Sequence, residues 1–260
     1  MEHPSPQAQN ISAQGDQAGK EQTKGYWNAY EHAGGIVTAF LRECGLAAQG
    51  VRAYCPPREG SHFGFALRGA VPLFLEGESP AKGESLTKGE SLTKGESLAR
   101  QGLEAHPPRL GNAPFIGDIG VKNGTLRITL TREALEALAR AAVEKLPPQK
   151  QWLCEGCGLG TREGYAMARM GTLARKGDKG LPQDEAALRA LWLALGICAY
   201  PGDAARTRTR LKQAVEALLT MSHHLPPRER AALMNRCGLV GMAAEKLIFT
   251  GIQIIGGMKT

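Results

Sequence analysis

The chain has 260 residues, 42% of them hydrophobic, and carries a net charge of +7. That is long enough for one large domain or two small ones and apolar enough to bury a core, which excludes a wholly disordered chain. No charged segment followed by an apolar one opens it and no run of about 18 apolar residues occurs, so neither secretion nor membrane spanning is expected, and cytoplasmic residence is.

Residues 1–24 are rich in Gln, Ser, Gly and Pro and poor in bulky apolar side chains. Too little apolar surface is available to offset the entropy of ordering, and the segment reads as a disordered tail. From Gly25, the residues Tyr26, Trp27, Tyr30, Ile36, Val37, Phe40 and Leu41 form a helical apolar stripe that ends near Gly45. It reads as core. Between residues 77 and 108 the hexapeptide Lys-Gly-Glu-Ser-Leu-Thr recurs from Lys82, Lys88 and Lys94. One Leu per six residues is too little for a stacked solenoid, so the expectation is a flexible surface insertion. Beyond Pro107 and Pro108, Phe115–Val121 and the alternating Thr125–Leu130 predict two strands joined at Lys122-Asn-Gly124. Thr131 predicts an N-cap, and an Ala-rich helix follows it until Pro147. Residues 25–146 thus predict an α+β domain.

Residues 147–163 form a Gly- and Cys-containing linker, and 164–260 read as an all-α helical bundle, so the chain is mainly α overall. In the first helix of the bundle Met167, Met170, Leu173 and Ala174 share one face, while Tyr165, Arg169, Thr172 and Lys176 share the other. An aromatic ring, a hydroxyl and two cations in line suit a phosphate backbone and an unstacked base. Asp184 predicts the cap of a helix whose centre, Ala190–Ile197, is apolar on every side and must be buried. In the segment Ala204–Thr220, Leu211, Ala214, Val215 and Leu218 point inward, with Arg206, Arg210 and Gln213 outward and Arg208 and Lys212 nearby. Pro226 and Pro227 precede a short helix, and a last helix runs to about Ile255. From Gln151 onward 15 Lys and Arg stand against 9 Asp and Glu, so +6 of the total charge lies in this half, where it suits a polyanionic partner.

The run Tyr165-Ala-x-Ala-Arg169-x-x-Thr172-x-x-Arg175-Lys176 resembles the opening helix of the DALR-type anticodon-binding domain of arginyl-tRNA synthetases. Leu191–Pro201 is similar to that family's Leu-rich helix ending in an aromatic-Pro step, and Ala243–Gly256 to its terminal helix. Upstream, Ser61–Leu67 and Asn123–Leu135 stand in the order of motifs in the family's N-terminal domain. The nucleotide-binding catalytic domain that separates these parts in a working synthetase is replaced by Leu146–Gly164, too short for one βαβ unit.

The resemblance therefore implies a DALR-like bundle that grips the anticodon arm of tRNA through Tyr165, Arg169, Thr172, Arg175, Lys176, Arg206, Arg208 and Arg210, without catalysis of its own. A synthetase or a tRNA-modifying enzyme is the implied protein partner. A helical interaction scaffold that has lost RNA binding, or one chain of a split synthetase, is the alternative. Cys154-x-x-Cys157 is half of a zinc site without a second pair of ligands at suitable spacing, and the six scattered cysteines read as reduced thiols. No catalytic residue and no cofactor are expected, since neither a nucleophile elbow nor a strand-linked phosphate loop is present.

Overall fold

The computed structural model describes residues 26–46, 51–54, 63–67, 88–146 and 161–257. The expected tail at 1–24, the start of the Ser61–Leu67 motif, the first hexapeptide, most of the linker, Cys154 and Cys157 lie outside them.

The first helix, α1 (Ala29–Glu43), starts where Asn28 accepts from the Tyr30 and Glu31 amides; of the predicted stripe Tyr30, Val37, Phe40 and Leu41 are buried, with Ala33 beside them, and Tyr26, Trp27 and Ile36 are half-buried. Strands β1 (Val51–Tyr54) and β2 (Gly64–Leu67) follow. Next come α2 (Lys88–Ala105), the short pair β3 (Arg109–Leu110) and β4 (Ala113–Pro114), and the hairpin β5 (Ile116–Lys122) and β6 (Thr125–Leu130). The hairpin turns on Asn123 at φ 51° and Gly124 at φ 66°, the two left-handed residues a tight right-twisted turn requires. Four strands form an antiparallel sheet in the order β1-β2-β6-β5. Leu126, Ile128 and Leu130 of β6 alternate into the core. Thr131 caps α3 (Arg132–Lys145) by accepting from the Ala134 amide at 3.0 Å.

The insertion expected to be flexible is helical from Lys88 onward. The six-residue period conceals a helical one: Leu92, Gly95 and Ala99 are buried on a single face, at offsets of three and four. Glu96 then holds this helix against the edge strand β5. Its carboxylate accepts from the Val121 amide at 3.1 Å and from Arg100, whose guanidinium also donates to Asp118 and the Ile119 carbonyl. The otherwise unpaired edge of the sheet is satisfied by side chains.

The second half contains α4 (Thr161–Lys176), α5 (Glu185–Leu195), a 3-10 turn at Ile197–Ala199, α6 (Ala204–Thr220), α7 (Pro227–Asn235) and α8 (Gly238–Gly257). Among the described residues the protein is mainly helical, with eight α-helices and a small antiparallel sheet. Helix α8 occupies the centre of the bundle and touches α3, α4, α5 and α6. Its small residues allow this: a side chain on Gly241 would lie 2.7 Å from the Met170 carbonyl and the Ala174 amide, so only hydrogen fits where α4 crosses. By length and composition Gly238–Gly256 could cross a membrane, an exception to the reading that no segment could. Most of it is buried by its neighbours, and Glu245 and Lys246 lie at its middle, as in a core helix.

The two halves share one core. Tyr30 of α1 stacks on Trp192 of α5 with ring centroids 4.6 Å apart, and Phe65 of β2 meets the same indole edge-on at 6.2 Å. Lys246 of α8 donates to the Val143 and Leu146 carbonyls, placing a cation on the orphan acceptors at the end of α3. Arg132 of α3 reaches the Leu181 carbonyl. The division drawn from sequence at 147–163 therefore separates α+β from all-α structure along the chain but does not separate two cores.

Candidate polyanion interface

A concave surface of the bundle lies where α6 packs against α5. Asp184 accepts from the Ala187 amide at 3.0 Å and Asp203 from the Arg206 amide at 2.9 Å, so both helices begin on acidic caps. The connection from Gly196 to Asp203 brings α6 against α5, and Ala186, Leu193, Arg210, Gln213, Thr220 and Met221 all line the groove between them. Ala186 and Ala217 are too small to close the gap, and a groove of about 710 Å³ remains. Its floor is apolar and its walls carry Arg189, Arg210, Lys212 and Gln213, with Glu216 as the carboxylate.

At the Arg210 end stands Tyr200, with the Arg206 guanidinium 5.3 Å and the Arg210 guanidinium 6.0 Å from its ring centroid. The attraction of cations to the ring face holds the two arginines together. Arg206 is also bound to Asp203 at 3.1 Å, whereas Arg208 is exposed.

Helix α4 borders the other end. Arg162 pairs with Glu216 on the groove wall, and Arg169 reaches the Leu219 carbonyl, so the face between them lies along Glu216–Thr220. Tyr165 is on that face and is 63% exposed, the one large hydrophobic side chain so exposed among the described residues. Met167, Met170 and Leu173 are buried and Ala174 half-buried, as the two-faced reading of this helix requires.

Arg169 departs from the expected line of contacts. Its guanidinium donates to the Leu219 carbonyl at 2.9 Å, to the buried Ser222 hydroxyl at 3.1 Å and to the Met234 sulfur at 3.8 Å. It ties α4 to the end of α6 and to α7, and the donors a phosphate would need are engaged inside the protein. The Thr172 hydroxyl is exposed and donates to its own helix at Ala168.

Arg175 and Lys176 are also not brought to the groove. They are exposed at the far end of α4, where Gly177 packs on Gly238 and the Asp178 amide donates to the Asn235 carbonyl at 2.6 Å. Helix α8 touches Gly177 at Gly238, and Ile197 and Leu211 at Gly251. Thirteen residues at 1.5 Å rise put the Lys176 and Tyr200 ends of the bundle about 20 Å apart. Of the eight site residues, Arg206 and Arg210 cluster, Arg208 lies on the same helix, Tyr165 borders the groove and the rest lie elsewhere.

Arg189, Lys212, Gln213 and Tyr200 were not among the expected site residues. The connection at 196–203 is longer than the roughly two to five residues of a helical hairpin, so loop length does not single out Arg189 as opposite α6. None of the described cysteines lies in the groove. Burial pushes the Cys198 and Cys237 thiols up to about 12, with Asp184 adding to the effect at Cys237 against the opposing Arg236 and Arg169 charges. At pH 8 only about one thiol in ten thousand of this kind is ionised. Native protein treated with iodoacetamide at pH 8 should leave both residues unmodified by mass spectrometry, whereas treatment in urea should modify both. Rapid native labelling of either one would contradict the burial described.

No protein-family model, curated protein or solved structure matches the chain.

Proposed function

We propose that the chain binds RNA, with tRNA as the ligand that the sequence resemblance suggests, and performs no catalysis on its own. The observation that carries this reading is the α5–α6 groove, with Arg189, Arg210 and Lys212 on its walls and an exposed Tyr165 beside its Glu216–Thr220 edge. Arginine and lysine supply a grip that is independent of sequence, and each phosphate they neutralise releases counterions. A tyrosine at the rim offers a stacking surface for an unpaired base, worth about 1 to 3 kcal/mol. Arrangement as a DALR-type anticodon-binding bundle, residence in the cytoplasm and partnership with a synthetase or modifying enzyme belong to the same proposal.

The groove has a second chemical character. Its floor of Ala186, Leu193, Ala217 and Met221 suits the apolar face of a partner helix, the scaffold alternative. Fluorescence anisotropy with labelled total tRNA at 50 to 200 mM salt separates the two. The expected result is salt-sensitive binding that an Arg189→Ala/Lys212→Ala variant weakens at least fivefold, with a salt slope smaller by about 1 to 2. If intact protein does not bind tRNA at 50 mM salt, the RNA reading falls and the scaffold replaces it.

A further inference from the structure

Three further cations of the bundle lie together outside the lining of the groove. Lys176 ends α4 and Lys179 follows it, and Arg236 follows the end of α7. The Asp178 amide bonds to the Asn235 carbonyl at 2.6 Å, which brings the two ends together and places all three cations within one or two residues of that contact. All three are exposed. Among the described residues none of them has an ion-pair partner, whereas Arg162, Arg206, Arg100 and Arg140 each bind a carboxylate. Asp178 is the exposed acid in the group, and Arg175 beside it faces the half-buried Glu245 of α8. A surface that avoids self-association ordinarily intersperses both signs. This one concentrates free positive charge where two helix ends meet.

We infer that Lys176, Lys179 and Arg236 form a second phosphate-contacting station, so that the bundle holds an extended RNA backbone at two places rather than a single nucleotide or short loop in one groove. The inference rests on the RNA reading above and specifies the ligand. The Arg210 and Tyr200 end of the groove lies about 20 Å from this station, the length of α8 between Gly238 and Gly251, and the Ala186 end lies closer, beside Asp184. That span corresponds to roughly six phosphates along one stacked strand. A chain that bridges both stations gains from the second contact as an intramolecular event, and a chain too short to bridge them gains nothing.

The test uses the full chain with three changes, Lys176→Ala, Lys179→Ala and Arg236→Ala, all at exposed positions. A control variant with Arg42→Ala, Arg109→Ala and Lys122→Ala removes the same charge from exposed sites in the α+β half. Each is titrated with total tRNA and with a uridine trinucleotide over 50 to 200 mM salt. For the triple variant we expect binding to tRNA at least tenfold weaker, a salt slope smaller by about 2 to 3, and trinucleotide binding unchanged; the control should match the parent on both ligands. Equal loss in the two variants would mean that net charge alone is felt, and tRNA binding by the triple variant equal to the parent would mean that the station is unused. Either result overturns the inference and leaves the RNA reading intact. Failure of the parent to bind tRNA overturns both.

Discussion

Replacing Trp192 by Ala should remove about 3 to 5 kcal/mol of stability, a large part of the 5 to 15 kcal/mol that holds a typical domain together. The indole is fully buried at the centre of α5, stacked on Tyr30 and met edge-on by Phe65, and its own carbonyl accepts from the Tyr30 hydroxyl at 3.3 Å. Truncation leaves a cavity whose lining comes from α1 and β2 as well as α5. Those elements belong to opposite halves of the chain, so the loss is felt by the whole molecule. Urea unfolding followed by circular dichroism should show one transition in the parent and the same single transition at lower urea in the variant. Trp192→Phe, which retains a ring, should lose less. Two well-separated transitions in the parent would show that the halves fold independently and that the shared core carries little of the stability.

Arg169→Ala is the second large effect, expected at about 2 to 3 kcal/mol, because it deletes charge-assisted bonds to the Leu219 carbonyl and the fully buried Ser222 hydroxyl and leaves both acceptors without their donor. Arg169→Lys should recover only part of this, since an ammonium group cannot reproduce the planar fork that spans two acceptors. Such internal use makes a second result specific. In conditions where the variant remains folded, the salt slope of tRNA binding should equal that of the parent, because no phosphate contact has been removed. A slope smaller by about one, with little change in urea midpoint, would restore Arg169 to the line of RNA contacts read from the sequence.

The comparison of Arg169 with its neighbours shows what a helical pattern contains. Spacing assigned Met167, Met170 and Leu173 to the core face and Tyr165 to the other, and the structure has them so. The same spacing put Arg169 beside Tyr165, yet the two have opposite fates. Periodicity fixes the direction in which a side chain leaves its helix, not what stands across from it, and the end of α6 and Met234 happen to be within reach of a long guanidinium. The α2 helix illustrates a different limit. Its repeat of six does not match the helical period of 3.6, and only the contacts of Leu92, Glu96 and Ala99 with the rest of the protein select the helical face.

The amino-acid sequence by itself determined the local elements. Asn123-Gly124 specifies the hairpin turn, Thr131 and Asp184 begin their helices, and the apolar run Ala190–Ile197 requires burial, since each follows from backbone sterics, capping bonds or hydration within a few neighbouring residues. The tertiary structure alone decided that α1 and α5 share a core, that Arg169 turns inward, and that the basic residues separate into a groove and a distant cluster. Those outcomes depend on which surfaces lie opposite one another across 50 residues of chain at Arg169 and Leu219 and 162 at Tyr30 and Trp192, and close packing of side chains, not local preference, chooses among them.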